Sequence, residues 1–494
     1  MLDTNKQEIV NLLFDKDILI DVDFLDNFKS SDIQLINDYL KNNDLDISED
    51  NYMDFFNNIL ENNNGSFQKE ETSCDAVSPV KILFSYDKPS CKKQVQDFVK
   101  YFNARYNQIK NILSARDELS NLTSVKMCNE MKEKKTVSII SIIKEKEFTK
   151  NNNIILTVED MTGSTKVLVN NNKEEIFELA KNLVYDEIIG INGNSGNNII
   201  FANSVVQPDI PLTKELKKCN EEVYAIFISD IHFGSKNFLD EKFDKFIKWL
   251  NGEAGNDKQK ELVKKIKYVF VAGDIVDGIG IYPGQDKDLA VGDIYDQYRG
   301  VAEKLKQFPK DVQIIMCPGN HDAMRLSEPQ PVFYNDYAEA LHEIENLTLV
   351  SNPAMVRVHQ TDTFAGFDIL MYHGSSFDYY LANVDELRLN GGYDRPDLMM
   401  KFLLKRRHLA PSYASTPYLI DNEKDNLVIE NVPDIFLTGH IHKCAVASYR
   451  NVTLIAGSCW QERTAYEIKL GHHPEPGRVP LVNLQTREAK ILVF

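Results

Sequence analysis

Five short segments in the second half of the chain constrain it more than any other feature. They are Asp230-Ile231-His232, Gly273-Asp274-Ile275-Val276-Asp277, Gly319-Asn320-His321-Asp322, Tyr372-His373-Gly374 and Gly439-His440-Ile441-His442. Each directly follows an apolar run, and each supplies carboxylate, amide or imidazole donors suited to a pair of small divalent ions. A lone histidine is more often structural than a ligand. Here five histidines recur in matching segments, which chance matching rarely produces.

The apolar runs are short and rich in β-branched residues: Val223–Ser229, Tyr268–Ala272, Gln313–Met316, Asp368–Tyr372, Asp434–Thr438 and Val452–Ala456. Phe243, Phe246, Ile247 and Leu250 form a helical stripe between the first two. Buried strands alternating with helices predict an α/β layered domain over residues 222–494. Asp230, Asp274, Asn320, His373 and His440 all stand just beyond such strands. Ligand sites of open α/β sheets lie outside the carboxyl ends of the strands, so residues far apart in sequence can converge there.

Two catalytic ions sit about 3.5–4 Å apart and need a bridging ligand. Asp274, central in the series, is the candidate. One ion then takes Asp230, His232, Asp274 and His442. The other takes Asp274, Asn320, His373 and His440. Both sets leave positions for an attacking water. Oxygen and imidazole donors with open positions suit Mn²⁺, with Fe²⁺ or Zn²⁺ as alternatives, better than Ca²⁺. No cysteine joins the set, which argues against a closed structural zinc site. His321, next to Asn320, is the candidate to stabilise a phosphorane-like transition state or to protonate a leaving alkoxide. Asp277 is expected to accept a hydrogen bond from His321 and fix its tautomer. Together these residues point to metal-assisted attack on a phosphate ester. His472-His473 are expected in an exposed loop, His342 and His359 look incidental, and Cys317 and Cys459 read as buried packing residues.

At 494 residues the chain is long enough for two to four domains. Residues 1–61 read as a small helical domain, with apolar stripes such as Ile33, Leu35, Ile36 and Leu40. Residues 62–91, opening on Asn62-Asn63-Asn64-Gly65-Ser66, read as a flexible linker, and 92–130 as a helical connector. Over 131–210 the pattern is three strands (Thr136–Ile143, Asn153–Val158, Lys166–Val169), a helix (Lys173–Leu183) and two strands (Glu187–Ile191, Ile199–Val206). Gly163-Ser164 and Asn192–Asn197 read as its turns. That is the order of an oligonucleotide-binding barrel, although a β-rich spacer that binds no nucleic acid shares it.

Hydrophobic residues make up 43% and charged residues 26%, as in soluble globular proteins. No apolar run approaches the roughly 20 residues of a membrane span, and Met1–Thr4 lacks the pattern of a signal peptide. Seven scattered cysteines without a C-x-x-C pair suggest a reducing cytoplasm. The net charge of −18 points away from a free-standing nucleic-acid binder. Lys401–His408 is the clearest basic stretch, readable as a solvated helix face or as a phosphate or partner contact.

The five segments resemble the calcineurin-like metallophosphoesterase superfamily over about residues 222–460. Further segments narrow the resemblance: Gly278-Ile279-Gly280-Ile281-Tyr282-Pro283-Gly284-Gln285, Arg325–Pro331, Leu398–Pro411 and Pro476–Pro480. With the preceding barrel pattern, the chain resembles the small subunits of archaeal D-family DNA polymerases. The resemblance implies a 3′–5′ exonuclease that proofreads for a separate large catalytic subunit. It also implies DNA as substrate, a sliding clamp as a further contact, and a cytoplasmic, nucleoid-associated location. A catalytically idle structural B subunit and a free phosphomonoesterase or protein phosphatase are the competing readings. The complete ligand set stands against the first, and the barrel pattern against the second.

Overall fold

The computed structural model describes residues 80–494, apart from 89–91 and 422. The helical domain expected over 1–61 lies outside the described residues, as does most of the expected linker.

The strands, in chain order, are β1 (Val80–Ser85), β2 (Thr136–Phe148), β3 (Ile154–Asp160), β4 (Gly163–Val169), β5 (Ile188–Ser195), β6 (Ile199–Val206), β7 (Tyr224–Ile228), β8 (Ile266–Ala272), β9 (Gln313–Cys317), β10 (Leu347–Leu349), β11 (Ala354–Val358), β12 (Phe367–Met371), β13 (Ile435–Thr438), β14 (Ala445–Tyr449), β15 (Val452–Ala456), β16 (Arg478–Asn483) and β17 (Ala489–Val493). They form two six-stranded sheets, β10-β9-β8-β7-β16-β17 and β1-β11-β12-β13-β15-β14, and a closed barrel, β2-β3-β4-β6-β5.

The two sheets face one another, because side chains alternate across a strand with period two. On β8, Tyr268, Phe270 and Ala272 enter the core between the sheets, where Phe227, Ile369, Leu437 and Ile455 meet them. Val269 and Val271 point the other way, onto helix α1 (Asp240–Leu250) and helix α2 (Ile294–Leu305). The outer face of the second sheet carries Leu370, Phe436 and Leu454 under helix α3 (Pro396–Arg406). The result is helix, sheet, sheet, helix. The stripe read from sequence on α1 is the buried one, Phe243, Phe246, Ile247 and Leu250. Each such side chain stabilises the layer by about 1.5–3 kcal/mol.

The strand–strand–strand–helix–strand–strand segment closes as a five-stranded barrel around Val137, Ile139, Leu156, Val158, Val167 and Ile191. β4 and β6 run parallel, and β2 closes on β5 antiparallel. Two details differ from expectation. Gly163-Ser164 already pair with Asp160 and Glu159, so the turn is Met161-Thr162, held by Thr162 N–H to Asp160 Oδ1 at 2.8 Å. β5 runs on to Ser195 through an irregularity at Asn192/Gly193, which shortens the loop expected over 192–197.

The expected linker needs a larger correction. Its last part is strand β1, paired antiparallel with β11 at the edge of the second sheet. The run Lys81-Ile82-Leu83-Phe84 supplies the β-propensity. Its partner lies some 270 residues downstream, beyond the reach of local patterning.

The end of Lys401–His408 departs from the solvated-face reading, while Lys401 and Lys405 stay half-buried. Arg406, Arg407 and His408 are buried. Arg406 Nε donates to Glu187 Oε2 at 3.0 Å and its Nη2 to Asn182 O at 2.8 Å, bolting the helix layer of the second sheet to the barrel. His408 Nε2 meets Asp425 Oδ2 at 2.8 Å, and Asp425 also pairs with buried Arg105 from the helix at Val95–Ser114. Among the described residues no helix is long and apolar enough to cross a membrane.

Candidate metal centre

Parallel strands β7, β8 and β9 of one sheet and β12 and β13 of the other end at a common crevice. Asp230 follows β7 by two residues, Asp274 follows β8 by two, Asn320 β9 by three, His373 β12 by two and His440 β13 by two. At these strand ends the backbone turns abruptly. Asp230 (φ +51°), His232 (+53°), Asp274 (+51°), His440 (+69°) and His442 (+56°) all adopt the left-handed conformation. That conformation costs a residue with a side chain roughly 1–3 kcal/mol and clusters at functional sites. Two glycines permit the close packing: a Cβ on Gly319 would lie 2.3 Å from Asp274 Oδ1, and one on Gly439 2.6 Å from Asp230 Oδ2.

Three overlapping groups of donors converge within ligand reach of one another: Asp230, His232 and His442; His232, Asp274 and His321; Asp274, His373 and His440. Asp274 belongs to two of them. His373 Nε2 lies 3.3 Å from Asp274 Oδ2 and 3.0 Å from Asn320 Oδ1. His442 Nε2 lies 3.5 Å from Asp230 Oδ1. The seven residues expected to hold ions are therefore all brought to one place.

The remaining ring nitrogens are occupied from outside, a feature the sequence reading missed. His373 Nδ1 meets Ala272 O at 2.8 Å. His442 Nδ1 meets Glu467 Oε1 at 2.9 Å, and His440 Nε2 meets Asp378 Oδ2 at 2.9 Å. An imidazole whose one N–H is spent on an acceptor offers the lone pair of its other nitrogen to a cation, the usual arrangement behind metal-binding histidines. His232 and His442 bring their Nε2 atoms within 3.1 Å of each other, which needs a proton or a cation between them. Buried His232 Nδ1 faces the Asp277 carboxylate, 3.3 Å from Oδ1. This donor set fits a pair of divalent ions.

The electrostatics agree. Burial pushes the Asp274 carboxyl up, but His373 and His321 outweigh it and hold it well below the carboxylate range. Burial pushes His373 down, and Asp274 overrides this to raise it to about 10. Glu467 is lowered to about 2, since His442 offsets the effect of its burial, and Asp378 is likewise lowered to about 2, through His440. The buried carboxylates are balanced by protons on the neighbouring imidazoles, and a cation binding here would displace those protons.

His321 and Asp277 sit here too, but their relationship is not the expected one. His321 Nδ1 meets the main-chain carbonyl of Asp277 at 2.8 Å. The Asp277 carboxylate instead faces His232, with Oδ1 3.3 Å from Nδ1, and accepts from Gln461 and Gln285 at 3.0 Å each. The short spacing after Asp274 turns the Asp277 side chain back under His232 and leaves only its carbonyl towards His321. Asp322, also unassigned from sequence, accepts main-chain N–H groups of Gly319 at 2.8 Å and Asp274 at 3.0 Å. His472, expected in an exposed loop, is half-buried with its ring 4.1 Å from that of Tyr393, and lines the crevice. Cys317 and Cys459 are buried as expected. The crevice is open and has a volume of about 460 Å³.

Residues 224–444 match the family described as calcineurin-like phosphoesterase. The chain is 38% identical to the DNA polymerase II small subunit of Methanothermobacter thermautotrophicus, over 79% of this chain and 78% of that protein. It is 37% identical to the DNA polymerase II small subunit of Archaeoglobus fulgidus, over 83% of this chain and 80% of that protein. With that of Pyrococcus furiosus it shares 37% identity, over 81% of this chain and 64% of that protein. Likeness of this extent, carried by a calcineurin-like phosphoesterase domain and the closed barrel before it, shows that the chain belongs to the family of archaeal DNA polymerase II small subunits.

Proposed function

We propose that this chain is the 3′–5′ proofreading exonuclease of a heteromeric replicative polymerase, cutting DNA phosphodiesters at a two-metal site, and a scaffold for the large catalytic subunit. The observation that carries the reading is the position of Asp274, shared between the His232 and the His373–His440 groups. In this reading Asp230, His232, Asp274 and His442 hold one ion, and Asp274, Asn320, His373 and His440 the other, with Mn²⁺ favoured over Fe²⁺ or Zn²⁺.

Such ions neutralise the scissile phosphate and lower the pKa of the attacking water. The chain's own residues do the rest. Asp378, Glu467 and Ala272 O orient the ligating rings. His321, its Nδ1 held by the Asp277 carbonyl, delivers a proton from its other nitrogen to the departing 3′ oxygen. The bond from phosphorus to that oxygen breaks as the bond to the water oxygen forms. The barrel offers a strand face to DNA or to the large subunit.

The test is to purify the full chain, measure metal content by elemental analysis, and follow Mn²⁺-dependent release of nucleotides from labelled 3′ ends. Two bound metals with no hydrolysis would favour the idle subunit. Hydrolysis of a small aryl phosphate without hydrolysis of DNA would favour the free phosphatase.

A further inference from the structure

The loop Gly278–Gly284 is held by buried hydrogen bonds while exposing apolar side chains. Two buried glutamines clamp it. Gln297 Oε1 accepts Gly278 N–H at 2.9 Å. Gln285 Oε1 accepts Ile281 N–H at 2.9 Å, while its Nε2 donates to Asp277 O at 2.8 Å. Gly278 (φ +75°) and Gly280 (φ +76°) supply the left-handed turns. Buried polar groups are costly unless fully paired, so spending two of them on a loop signals that its shape matters. Yet Ile279 at its tip is 49% exposed.

Ile279 and Ile281 form one wall of a groove of about 780 Å³. Leu326, 57% exposed, and Tyr337, 40% exposed, line it as well. The Tyr337 ring is braced by Tyr295, with centroids 5.8 Å apart. The groove adjoins the metal crevice, since Ile281, Asn320, His321 and His440 line both.

We infer that this groove is a nucleobase subsite, which takes the unpaired 3′-terminal bases of a single strand while their phosphates lie at the ions. The inference rests on the nuclease reading above. Bases stack on aromatic and apolar side chains whatever their sequence, which suits a site that must accept any terminal nucleotide. The groove's volume falls within the range of sites for small organic ligands, about 300–1,000 Å³. A base still stacked in a duplex cannot enter, so occupancy selects frayed or mispaired ends.

The test compares two labelled single strands, one with natural bases and one with abasic residues at its last two 3′ positions. Both are cut by the full chain with Mn²⁺, as wild type and as Ile279→Ser/Leu326→Ser. The wild type is expected to cut the natural end with a kcat/KM about tenfold higher or more. The double variant is expected to lose that preference and keep the wild-type rate on the abasic end. Equal rates on both ends in the wild type overturn the subsite and leave the nuclease standing. An equal loss on both ends in the variant overturns it in favour of a structural loop. A dimer in sedimentation that only the variant dissolves, without base preference in the wild type, overturns it in favour of a second copy as the occupant. Failure to cut either end overturns the nuclease reading and the subsite with it.

Discussion

The carboxylate of Glu467 serves two partners at once. Its Oε1 lies 2.9 Å from His442 Nδ1, while Oε2 accepts Thr464 N–H at 2.7 Å. The second contact belongs to a capping box that starts the short helix Ala465–Leu470. A helix cap thereby fixes the tautomer and ring plane of a candidate ligand.

Glu467→Gln should therefore leave the fold intact, because an amide oxygen can still accept from Thr464. It should weaken retention of the ion beside Asp230 by about 10–100-fold, as loss of such supporting carboxylates does. Chelator competition with elemental analysis checks this. Asp378→Asn should weaken the other ion similarly. Wild-type retention in both variants would remove these carboxylates from the account.

Asp274→Ala should abolish nuclease activity and leave assembly with the large subunit unchanged. The side chain belongs to two donor groups, while the sheets rest on Phe227, Phe270, Ile369 and Leu437. Loss of assembly in pull-down would show that the ions hold the fold together.

His321→Ala should retain both metals and lower turnover by about 10²–10⁴-fold. Asp277→Asn should behave differently. Its carboxylate faces His232, so the variant should lose metal before it loses proton transfer. Metal content and single-turnover rates together separate the two effects.

Much of this centre was legible because each ligand segment ends a short apolar run, and strand ends are where parallel sheets gather ligands. The supporting acids were less so. Thr464-x-x-Glu467 can be read as a capping box, but nothing local says that His442 shares its carboxylate. Asp378 stands five residues after His373, with no periodic signal. β1 was unreadable as a sheet strand because β11, some 270 residues downstream, supplies its ladder. Arg406–His408 misled because clustered charges are usually exposed. Their partners come from distant segments: Glu187 of the barrel for Arg406, the Ile429 carbonyl for Arg407 and Asp425 for His408.

The Arg406–Glu187 pair gives the most direct test of how barrel and phosphoesterase domain are joined. Both side chains are buried, and the Arg406 guanidinium lies 3.4 Å from the Phe402 ring centroid. Removing one partner of a buried pair leaves the other charged and unmatched, which costs about 3–5 kcal/mol. Glu187→Ala should lower the melting temperature clearly, and Glu187→Ala/Arg406→Met should recover part of the loss. The segment from Pro208 to Glu222 adds to the joint. Ile210 is buried in the phosphoesterase core, and Lys217 Nζ lies 2.8 Å from Asp434 Oδ2. Limited proteolysis of the wild type should therefore spare 208–222. A truncation beginning at residue 80 should keep metals and activity, whereas one beginning at 93 should lose stability, because it strips β1 from β11. Early cleavage at 208–222 with release of an active phosphoesterase fragment would show that the barrel is an independent module, and that the buried pair does not hold it.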